Sequence, residues 1–418
     1  MTIGFLLWRR GFFKVSGAVI EAALARGHRV VLLWDPEERK PGEMVLPVDL
    51  ACWPQARWVA HRRGQPLAPL LMEHGVEALV APSLYMILVG SGHVRELPAL
   101  RAARVRLCSL DYAFDTALSA PAGYRVVDVT FYTSDDQRAL HWRLMADGFA
   151  GMSDVDRWSR SAACGSTMTD QLAYVDRAAV RARYGVSDGK PAIVLMSLKM
   201  AVDPWRELVW GNIARGIGSL RHASGRRALK RGLGTWLREA PRGNVYRQLV
   251  DATRAFADRA GAALLIKTRA KNEDPPFLRA VADRMIEDET MCPYTSIELM
   301  AVADLCIHFQ SAAVLEAALA GVPSLSVRIP QQHLLEFTNQ TVLTEVYGAQ
   351  PGTLLNWNGL VWSADFASAI AALATGSLAD FRVDPEARRR YVEKFLGFDD
   401  TCASLRVVER IEALVAGV

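Results

Sequence analysis

The 418-residue sequence is poor in several features that mark common protein classes. Its six cysteines are scattered, with no Cys-x-x-Cys pair and no metal-ligand spacing, which favours buried cysteines in a reduced protein over disulfides. No apolar run reaches the roughly 18 residues that a membrane-spanning helix needs. At the amino terminus an apolar run precedes two arginines, the reverse of the order in a secretory signal peptide. We therefore expect a cytoplasmic protein that binds no metal ion.

The composition that is present is that of a globular protein. Hydrophobic residues make up 51% of the chain and charged residues 22%, which excludes a disordered or fibrous chain. A chain of this length can bury the cores of two ordinary domains. The formal net charge of +4 is unevenly distributed. Residues 204–243 hold nine Lys or Arg against two Glu, a net charge of +7, which leaves −3 for the rest of the chain.

The chain opens with a pattern typical of a β-α-β unit. Residues 3–8 predict a buried strand, residues 15–26 have helical apolar spacing, and residues 29–34 predict a second strand. The loop after the first strand lacks the Gly-x-Gly-x-x-Gly fingerprint of dinucleotide-binding proteins. Three basic residues of this loop either bind an acceptor or a phosphate or form a solvated surface: Arg9, Arg10 and Lys14.

Two aspartates follow a later strand of the same predicted domain. The strand predicted at 104–110 ends at Asp111, and Asp115 comes in the same loop. A strand at 126–133 and a helix at 135–144 complete the α/β pattern, and residues 147–164, which lack strong periodicity, are expected to bridge to the second domain. The carboxyl ends of parallel strands form the ligand side of such a sheet. Asp111 and, as second choice, Asp115 are therefore candidates for a general base, and the alternative for each is a turn or capping role.

Residues 303–327 predict a strand, a helix and a second strand joined by tight turns. Ser311 can cap an Ala- and Leu-rich helix over 312–320, and Gly321 with a nearby proline can end it. In such a unit the helix N-terminus lies where open α/β sheets bind anions and nucleotides. Glu316 would then lie within reach of sugar hydroxyls, and its carboxylate can accept two hydrogen bonds from a ribose diol.

Two motifs resemble those of a known fold group. Glu316, Ala317, Gly321 and Pro323 resemble the E-A-x-x-x-G-x-P signature in the nucleotide-binding domain of GT-B glycosyltransferases, a fold that includes the UDP-GlcNAc 2-epimerases. Residues 165–170 resemble the G-x-P-x-x-D turn that opens the second domain of the 2-epimerase and CDP-glycerol transferase group. Threonine replaces the proline of that turn, and an ordinary turn with a capping aspartate is the alternative.

A third resemblance concerns the loop after the strand predicted at 262–267. It is similar to the K-x-R loop that faces the nucleotide diphosphate in the same group, and Lys and Arg suit an anionic ligand. A basic surface patch is the alternative for this loop, and a buried structural role is the alternative for His308. The resemblance implies a nucleotide-sugar site made by six residues: Lys267, Arg269, His308, Gln310, Ser311 and Glu316.

The resemblance also implies an α/β fold of two Rossmann-like domains that face each other across a cleft, the GT-B arrangement. The acceptor domain is expected over 1–155 and the nucleotide-sugar domain over 156–380, with the basic segment 204–243 as an insertion. Residues 381–418 are expected to form helices, one of them at 385–396, and the last helix is expected to cross back onto the first domain.

The implied function is that of a glycosyltransferase, which moves a sugar from a nucleotide-activated donor to a glycan or lipid-linked acceptor without a metal ion or another cofactor. Two alternatives stay open: a nucleotide-sugar 2-epimerase of the same fold, and a non-catalytic sugar-nucleotide binding protein. The Asp-Ser-Gly-Gly turn typical of the epimerases reads His-Phe-Gln-Ser at 308–311, which disfavours the epimerase.

The basic segment 204–243 combines its charge with bulky apolar residues. Trp205, Leu208, Val209 and Ile213 fall on one face of a short helix. This pattern is typical of peripheral binding to an anionic membrane, here its inner face, and an ordinary surface insertion is the alternative. The segment lacks regularly spaced aromatics and is interrupted by glycines, so we expect no nucleic-acid binding.

Overall fold

The computed structural model describes most of the chain. The described residues are 1–36, 45, 47–62, 64–111, 124–198, 217, 225–226, 229–230, 245–268, 274–287, 290–329 and 340–417. Two predicted site residues, Asp115 and Arg269, lie outside this set, and so does nearly all of the basic segment 204–243. The membrane-binding hypothesis for that segment therefore stays a prediction.

The first domain is built on a parallel sheet of seven strands: β1 (Thr2–Leu6), β2 (Arg29–Trp34), β3 (Arg57–Ala60), β4 (Ala78–Pro82), β5 (Arg106–Asp111), β6 (Val129–Tyr132) and β7 (Ser161–Ala163). Their order is β3-β2-β1-β4-β5-β6-β7. Six α-helices accompany them: α1 (Arg10–Ala25), α2 (Leu67–Glu73), α3 (Leu84–Gly90), α4 (Leu97–Ala102), α5 (Asp135–Leu144) and α6 (Asp154–Ser159). Separate apolar clusters cover the two faces, as in doubly wound sheets.

The second domain repeats this architecture with six parallel strands: β8 (Ala192–Met196), β9 (Ala263–Lys267), β10 (Arg284–Ile286), β11 (Leu305–His308), β12 (Ser324–Val327) and β13 (Val361–Ala364). Their order is β10-β9-β8-β11-β12-β13. The described helices of this half are α7 (Arg177–Tyr184), α8 (Val245–Arg259), α9 (Pro276–Val281), α10 (Thr295–Val302), α11 (Ala313–Ala320), α12 (Gln340–Glu345), α13 (Phe366–Thr375), α14 (Pro385–Leu396) and α15 (Ala403–Ala416).

Short 3-10 helices connect several of these elements. They span Pro47–Cys52, His93–Glu96, Ala146–Phe149, Thr169–Tyr174 and Leu378–Phe381. No helix among the described residues is both long enough and apolar enough to cross a membrane. The structure therefore has the predicted α/β fold with two doubly wound sheets.

Two local predictions were wrong. Helix α1 begins at Arg10, so the residues predicted to form a loop up to Lys14 occupy its first turns. The buried side chain of Phe13 starts the apolar face of this helix, which makes the helix longer than the sequence pattern indicated. The stretch 147–164 was expected to bridge the domains, but it contains α6 and the edge strand β7. A three-residue strand is too short to show the alternation on which such predictions rest.

The last helix crosses back onto the first domain, as predicted. Val407, Val408 and Ile411 of α15 pack in the same core cluster as β1 and α1. At the start of α15, the backbone N–H of Ser404 donates to the buried carboxylate of Asp170, whose pKa is raised by burial to about 6. The alternative role considered for this residue was that of a capping aspartate in an ordinary turn, and the hydrogen bond of Asp170 goes to a helix that begins more than 230 residues later in the chain.

Gly165, in the same turn, allows α15 to approach closely. Its φ is +98°, and a Cβ built on it would lie 2.9 Å from the Cβ of Ala403. Gly185 at the end of α7 also has a positive φ, +71°, but a Cβ there would meet nothing within 4 Å. A substitution at Gly185 therefore adds backbone strain alone, whereas one at Gly165 adds backbone strain and a steric clash with α15.

We expect Gly185→Ala to lower the free energy of unfolding by about 1 kcal/mol, because only the left-handed backbone is strained. Gly165→Ala should cost a further 1–3 kcal/mol or so, since α15 must also shift. Urea denaturation of both variants tests this. Equal losses at the two positions would show that α15 does not need the close approach at Gly165.

Candidate functional site

The strand order places a topological switch point at the carboxyl edge of each sheet. In the second sheet this point lies between the neighbouring strands β8 and β11. From β8 the chain continues to β9 and β10 on one side, and from β11 it continues to β12 and β13 on the other side. Open α/β sheets bind ligands in the crevice at such a point. Four of the six residues predicted to form a nucleotide-sugar site lie here, at the end of β11, in the turn after it and in α11: His308, Gln310, Ser311 and Glu316.

Near the carboxyl ends of three strands of the second sheet, polar side chains lie on the same face of the sheet. Side chains alternate along a strand, and the neighbours Ile266, Ile307 and Leu325 pack into the cluster on the opposite face. The intervening residues therefore point toward α10 and α11, and they are at most 4% exposed: Lys267 on β9, His308 on β11 and Ser326 on β12. We call these three residues the polar row.

His308 is held as a neutral hydrogen-bond donor. Its Nδ1 accepts a hydrogen bond of 3.2 Å from the backbone N–H of Ser311, so the ring proton is on Nε2. Burial lowers the pKa of His308 to about 3, which keeps the imidazole uncharged at neutral pH. Its Nε2 has no hydrogen-bond partner among the described residues. A buried donor without a partner is costly, so this atom is suited to a ligand acceptor.

Gln310 and Ser311 shape the turn between β11 and α11. Gln310 has a left-handed φ of 45°, and its Oε1 accepts a 3.0 Å hydrogen bond from the backbone N–H of Ile329. Ser311 Oγ accepts from the backbone N–H of Ala313 at 3.3 Å. The helix itself begins one residue later than predicted, with Ala312 at the N-cap position. Both residues therefore serve the turn, and a ligand role for either stays a prediction.

Glu316 joins the two domains. Its side chain is fully buried, and its carboxylate forms an ion pair with the Nζ of Lys14 on α1 of the first domain. Neither carboxylate oxygen accepts a hydrogen bond from another described residue. Burial, and after it the charge of Glu316, raise the pKa of the Cys306 thiol on β11.

Other contacts fix α1 in this position. Gln171 Nε2 donates to the backbone carbonyl of Lys14 at 2.9 Å, and Gln171 Oε1 accepts from the backbone N–H of Tyr294 at 2.7 Å. Thr167, which replaces the proline of the resembled turn, donates to the carbonyl of Val15 at 2.8 Å. The ammonium of Lys14 also lies 5.7 Å from the ring centre of Tyr294. The first domain thus places one lysine at the second domain's site.

The other two basic residues of the first domain are placed differently. Arg10 forms a bidentate pair with Asp49, at 2.9 and 3.0 Å, so its guanidinium is engaged by the protein. Arg9 lines a cleft at the carboxyl edge of the first sheet. Arg9, Arg10 and Lys14 therefore do not meet at one place. Successive positions at the start of α1 point in different directions, so each of the three side chains has different surroundings.

Asp111 lies inside the first domain. It is the last residue of β5, its side chain is fully buried, and Tyr124 donates a 2.7 Å hydrogen bond to it. His141 Nδ1 lies 3.6 Å from the same carboxylate oxygen. Lys267 of the polar row lies at the carboxyl edge of the other sheet, where its Nζ donates to the carbonyl of Thr268 at 2.9 Å. The base role of Asp111 stays a prediction.

The sequence analysis missed several residues of this region. Tyr124 and His141 were not linked to Asp111, and Gln171 and Tyr294 were not linked to α1. Ser326 carried a usable signal, since serine at every second position of the apolar run at 324–327 marks one polar face. Among the described residues, no group of three or more His, Cys, Asp or Glu side chains is placed to hold a metal ion.

Solved structures of similar fold cover the whole chain. A UDP-GlcNAc 2-epimerase from Neisseria meningitidis bound to UDP-GlcNAc has a TM-score of 0.57 and 11% identity, over 99% of this chain and 100% of that one. MnaA of S. aureus in complex with UDP has a TM-score of 0.53 and 12% identity, over 100% and 97%. The wall teichoic acid polymerase TagF has a TM-score of 0.54 and 9% identity, over 100% and 89%.

No protein-family model and no curated protein matches the sequence. The structural similarity confirms the predicted GT-B fold, with two parallel sheets of seven and six strands. Identities of 9–12% show the fold alone.

The ion pair between Lys14 and Glu316 makes a testable contribution to stability. Lys14→Met should lower the free energy of unfolding by about 3 kcal/mol, because it leaves a buried carboxylate without a cation. Glu316→Gln should cost less, since the ammonium of Lys14 is 20% exposed and can reach water. The double variant should recover most of the loss. Additive losses in this double-mutant cycle would show that the two groups are not coupled.

Proposed function

We propose that the protein is a GT-B glycosyltransferase that binds a nucleotide-activated sugar between its two domains and transfers the sugar to a glycan or lipid-linked acceptor. The observation that carries this proposal is the buried polar row of Lys267, His308 and Ser326, together with the buried carboxylate of Glu316 on the helix that follows β11. It lies at the topological switch point, where a ligand of this kind binds in open α/β sheets.

Each group of the site suits one part of a nucleotide-sugar. The carboxylate of Glu316 has an oxygen that Lys14 does not contact, and it can accept hydrogen bonds from ribose hydroxyls. The ammonium of Lys267 and the N-terminus of α11 suit the negative charge of the diphosphate, which grows as the bond to the sugar breaks. Nε2 of His308 can donate to an oxygen of the sugar or of the phosphate.

The neutral state of His308 favours transfer over epimerisation. Epimerisation at a sugar carbon needs an acid and a base on one sugar, and a buried imidazole that keeps its Nε2 proton is a poor base. Epimerisation is nevertheless the second candidate, because the similar structure bound to UDP-GlcNAc is a 2-epimerase. In the transfer reaction the acceptor hydroxyl needs a base from the first domain, for which Asp111 is the first choice and Asp115 the second.

Ligand screening tests the function directly. The full chain is mixed with UDP-, GDP-, CDP-, ADP- and dTDP-sugars, and the melting temperature is followed, since a ligand that binds the native state raises it. The stabilising donor is then incubated with and without membrane extract, and the products are followed by NMR. Consumption that requires the extract supports transfer, and a new sugar epimer without extract supports the second candidate. Binding without turnover identifies a binding protein, and the absence of any binder contradicts the proposal.

Two substitutions test which part of the donor each residue contacts. Lys267→Ala should weaken binding of the nucleoside diphosphate more than that of the free nucleoside, because the lost contact is to phosphate. Glu316→Gln should weaken both by roughly 1.5–3 kcal/mol, since both contain the ribose. Lys190→Ala is the matched control, because Lys190 precedes β8 at the opposite edge of the same sheet. Calorimetry that finds equal losses for both ligands in Lys267→Ala would contradict the phosphate role.

The base is tested by Asp111→Asn, with Tyr124→Phe as the companion variant. If Asp111 is the base, its asparagine variant should bind the donor normally and lose roughly two to four orders of magnitude in turnover. Tyr124→Phe removes the hydroxyl that donates to Asp111 but keeps the carboxylate, so it should retain most of the turnover. Near-normal turnover in Asp111→Asn would move the role to Asp115. Denaturation curves of both variants control for loss of folding.

A further inference from the structure

Two buried histidines of the first domain lie side by side. His61 directly follows β3, and His93 begins the 3-10 helix His93–Glu96. Their ring centres are 5.6 Å apart, their planes are tilted by 43°, and the two residues are 1% and 3% exposed. The indole of Trp8, which follows β1, lies 5.6 Å from the ring centre of His61 and 6.0 Å from that of His93. The three rings therefore form one buried cluster.

One ring nitrogen of each histidine is held by a hydrogen bond. Nε2 of His61 donates to the backbone carbonyl of Gln65 at 3.2 Å, and Nδ1 of His93 donates to Oε1 of Glu96 at 2.7 Å. Glu96 is fixed in turn, because its Oε2 accepts from the first two backbone N–H groups of α2 at 2.7 Å each. In the neutral rings the lone pair is therefore on Nδ1 of His61 and on Nε2 of His93.

These two lone-pair nitrogens have no described partner. Nδ1 of His61 and Nε2 of His93 are both buried, and neither forms a hydrogen bond with a described residue. One buried acceptor without a partner is costly, and here two lie in neighbouring rings. A histidine that binds a metal ion donates its other ring N–H to a carbonyl or a carboxylate. Both histidines have this arrangement.

The separation of the rings suits two ligands of one ion. With Zn–N distances of about 2.0–2.1 Å and a tetrahedral angle, the ring centres of two imidazole ligands lie about 5 Å apart. The observed separation of 5.6 Å is close to this value. No third His, Cys, Asp or Glu side chain in the described part of the chain is placed to bind the same ion. The protein would therefore supply two ligands and leave the other coordination positions to water.

The charges around the pair also suit a cation. Burial lowers the pKa of His61, and the hydrogen bond to Gln65 and the carboxylates of Glu96 and Asp35 partly offset this effect. The neutral imidazole is the form that binds a metal ion. Two carboxylates beside two neutral rings balance the charge of a divalent cation in a buried place. Trp8 also lines the cleft of the first domain, which provides a path of entry for an ion.

We propose that Nδ1 of His61 and Nε2 of His93 bind one divalent transition-metal ion, with Zn²⁺ as the ion to be tested. Imidazole ligands suit zinc and copper, whereas magnesium and calcium prefer oxygen ligands. The sequence analysis expected no metal ion because the cysteines lack ligand spacing, and two histidines 32 residues apart give no such signal either. The inference does not depend on the proposed function, because the polar row lies in the other domain.

The test titrates Zn²⁺ into the metal-free full chain by calorimetry. His61→Gln keeps an amide N–H for the carbonyl of Gln65, and His93→Asn keeps one for Glu96. Each variant thus removes the ligand nitrogen and retains the hydrogen bond of the other nitrogen. Each should weaken the binding of one Zn²⁺ per chain by roughly ten-fold or more, since even the loss of an outer partner of a ligand costs that much.

His28→Gln is the matched control. Nε2 of His28 lies 2.7 Å from Glu412, so this variant removes a histidine that is also paired with a carboxylate but lies outside the cluster. It should bind Zn²⁺ as the unmodified chain does, and an excess of Mg²⁺ should not displace Zn²⁺ from either protein. Zn²⁺ affinity that is unchanged in both His61→Gln and His93→Asn would overturn the site and identify surface binding. The absence of Zn²⁺ binding to the unmodified chain would overturn it as well.

Electron paramagnetic resonance of the Cu²⁺-loaded chain counts the ligand nitrogens directly. The unmodified chain should show coupling to two imidazole nitrogens, and each variant should show coupling to one. This measurement on the unmodified chain tests the ligand pair even where a variant fails to fold, which melting curves detect. A single coupled nitrogen in the unmodified chain would overturn the shared site.

Nucleoside diphosphate binding separates this inference from the proposed function. His61→Gln and His93→Asn should leave it unchanged, because the polar row does not include them. A chain that binds Zn²⁺ in the expected pattern but no nucleotide would support the histidine site and contradict the donor site. A chain that binds the nucleotide but no Zn²⁺ would contradict the histidine site alone.

Discussion

The position of α1 depends on a buried carboxylate. Glu316 has no exposed surface, and the described cation that pairs with it is Lys14 of the other domain. A buried charge without a partner is strongly unfavourable, so the second domain is stable in this form with α1 docked against it. Gln171 reinforces the docking by bonding to α1 and to Tyr294. Because α1 directly follows the carboxyl end of β1, its docking also brings the carboxyl edge of the first sheet close to the carboxyl edge of the second.

The polarity of the site follows from the topology. Parallel strands present their carboxyl ends along one edge, so residues distant in sequence such as Lys267 and His308 reach the same edge. The strands themselves are mainly apolar because both faces are covered, and Lys267 and His308 lie at the carboxyl ends of β9 and β11. His308 shows the cost of this placement: burial keeps it neutral, and one of its nitrogens has no described partner. The proposed nucleotide-sugar site uses this donor.

Local signals in the sequence were sufficient for much of the fold. The helix at 135–144 was predicted with its observed bounds, because Ser134 caps it and accepts a hydrogen bond from Gln137. The helix at 385–396 was predicted equally well, since an aspartate cap and a proline at its first position mark the start. The edge strand β7 was missed because three residues carry no periodic signal. Propensity and capping are local properties, so they identify elements that are long and well bounded.

The partners of the site residues are not local, and the sequence could not supply them. Arg10 is engaged by Asp49, 39 residues away, and Lys14 is engaged by Glu316 in the other domain. A basic triplet in the sequence therefore becomes two ion pairs and one residue, Arg9, that lines a cleft. The distribution has a chemical consequence, because the described lining of the cleft at the first sheet is mainly apolar. The second sheet keeps the buried polar row, so the two edges that α1 connects differ in the kind of molecule that each can bind.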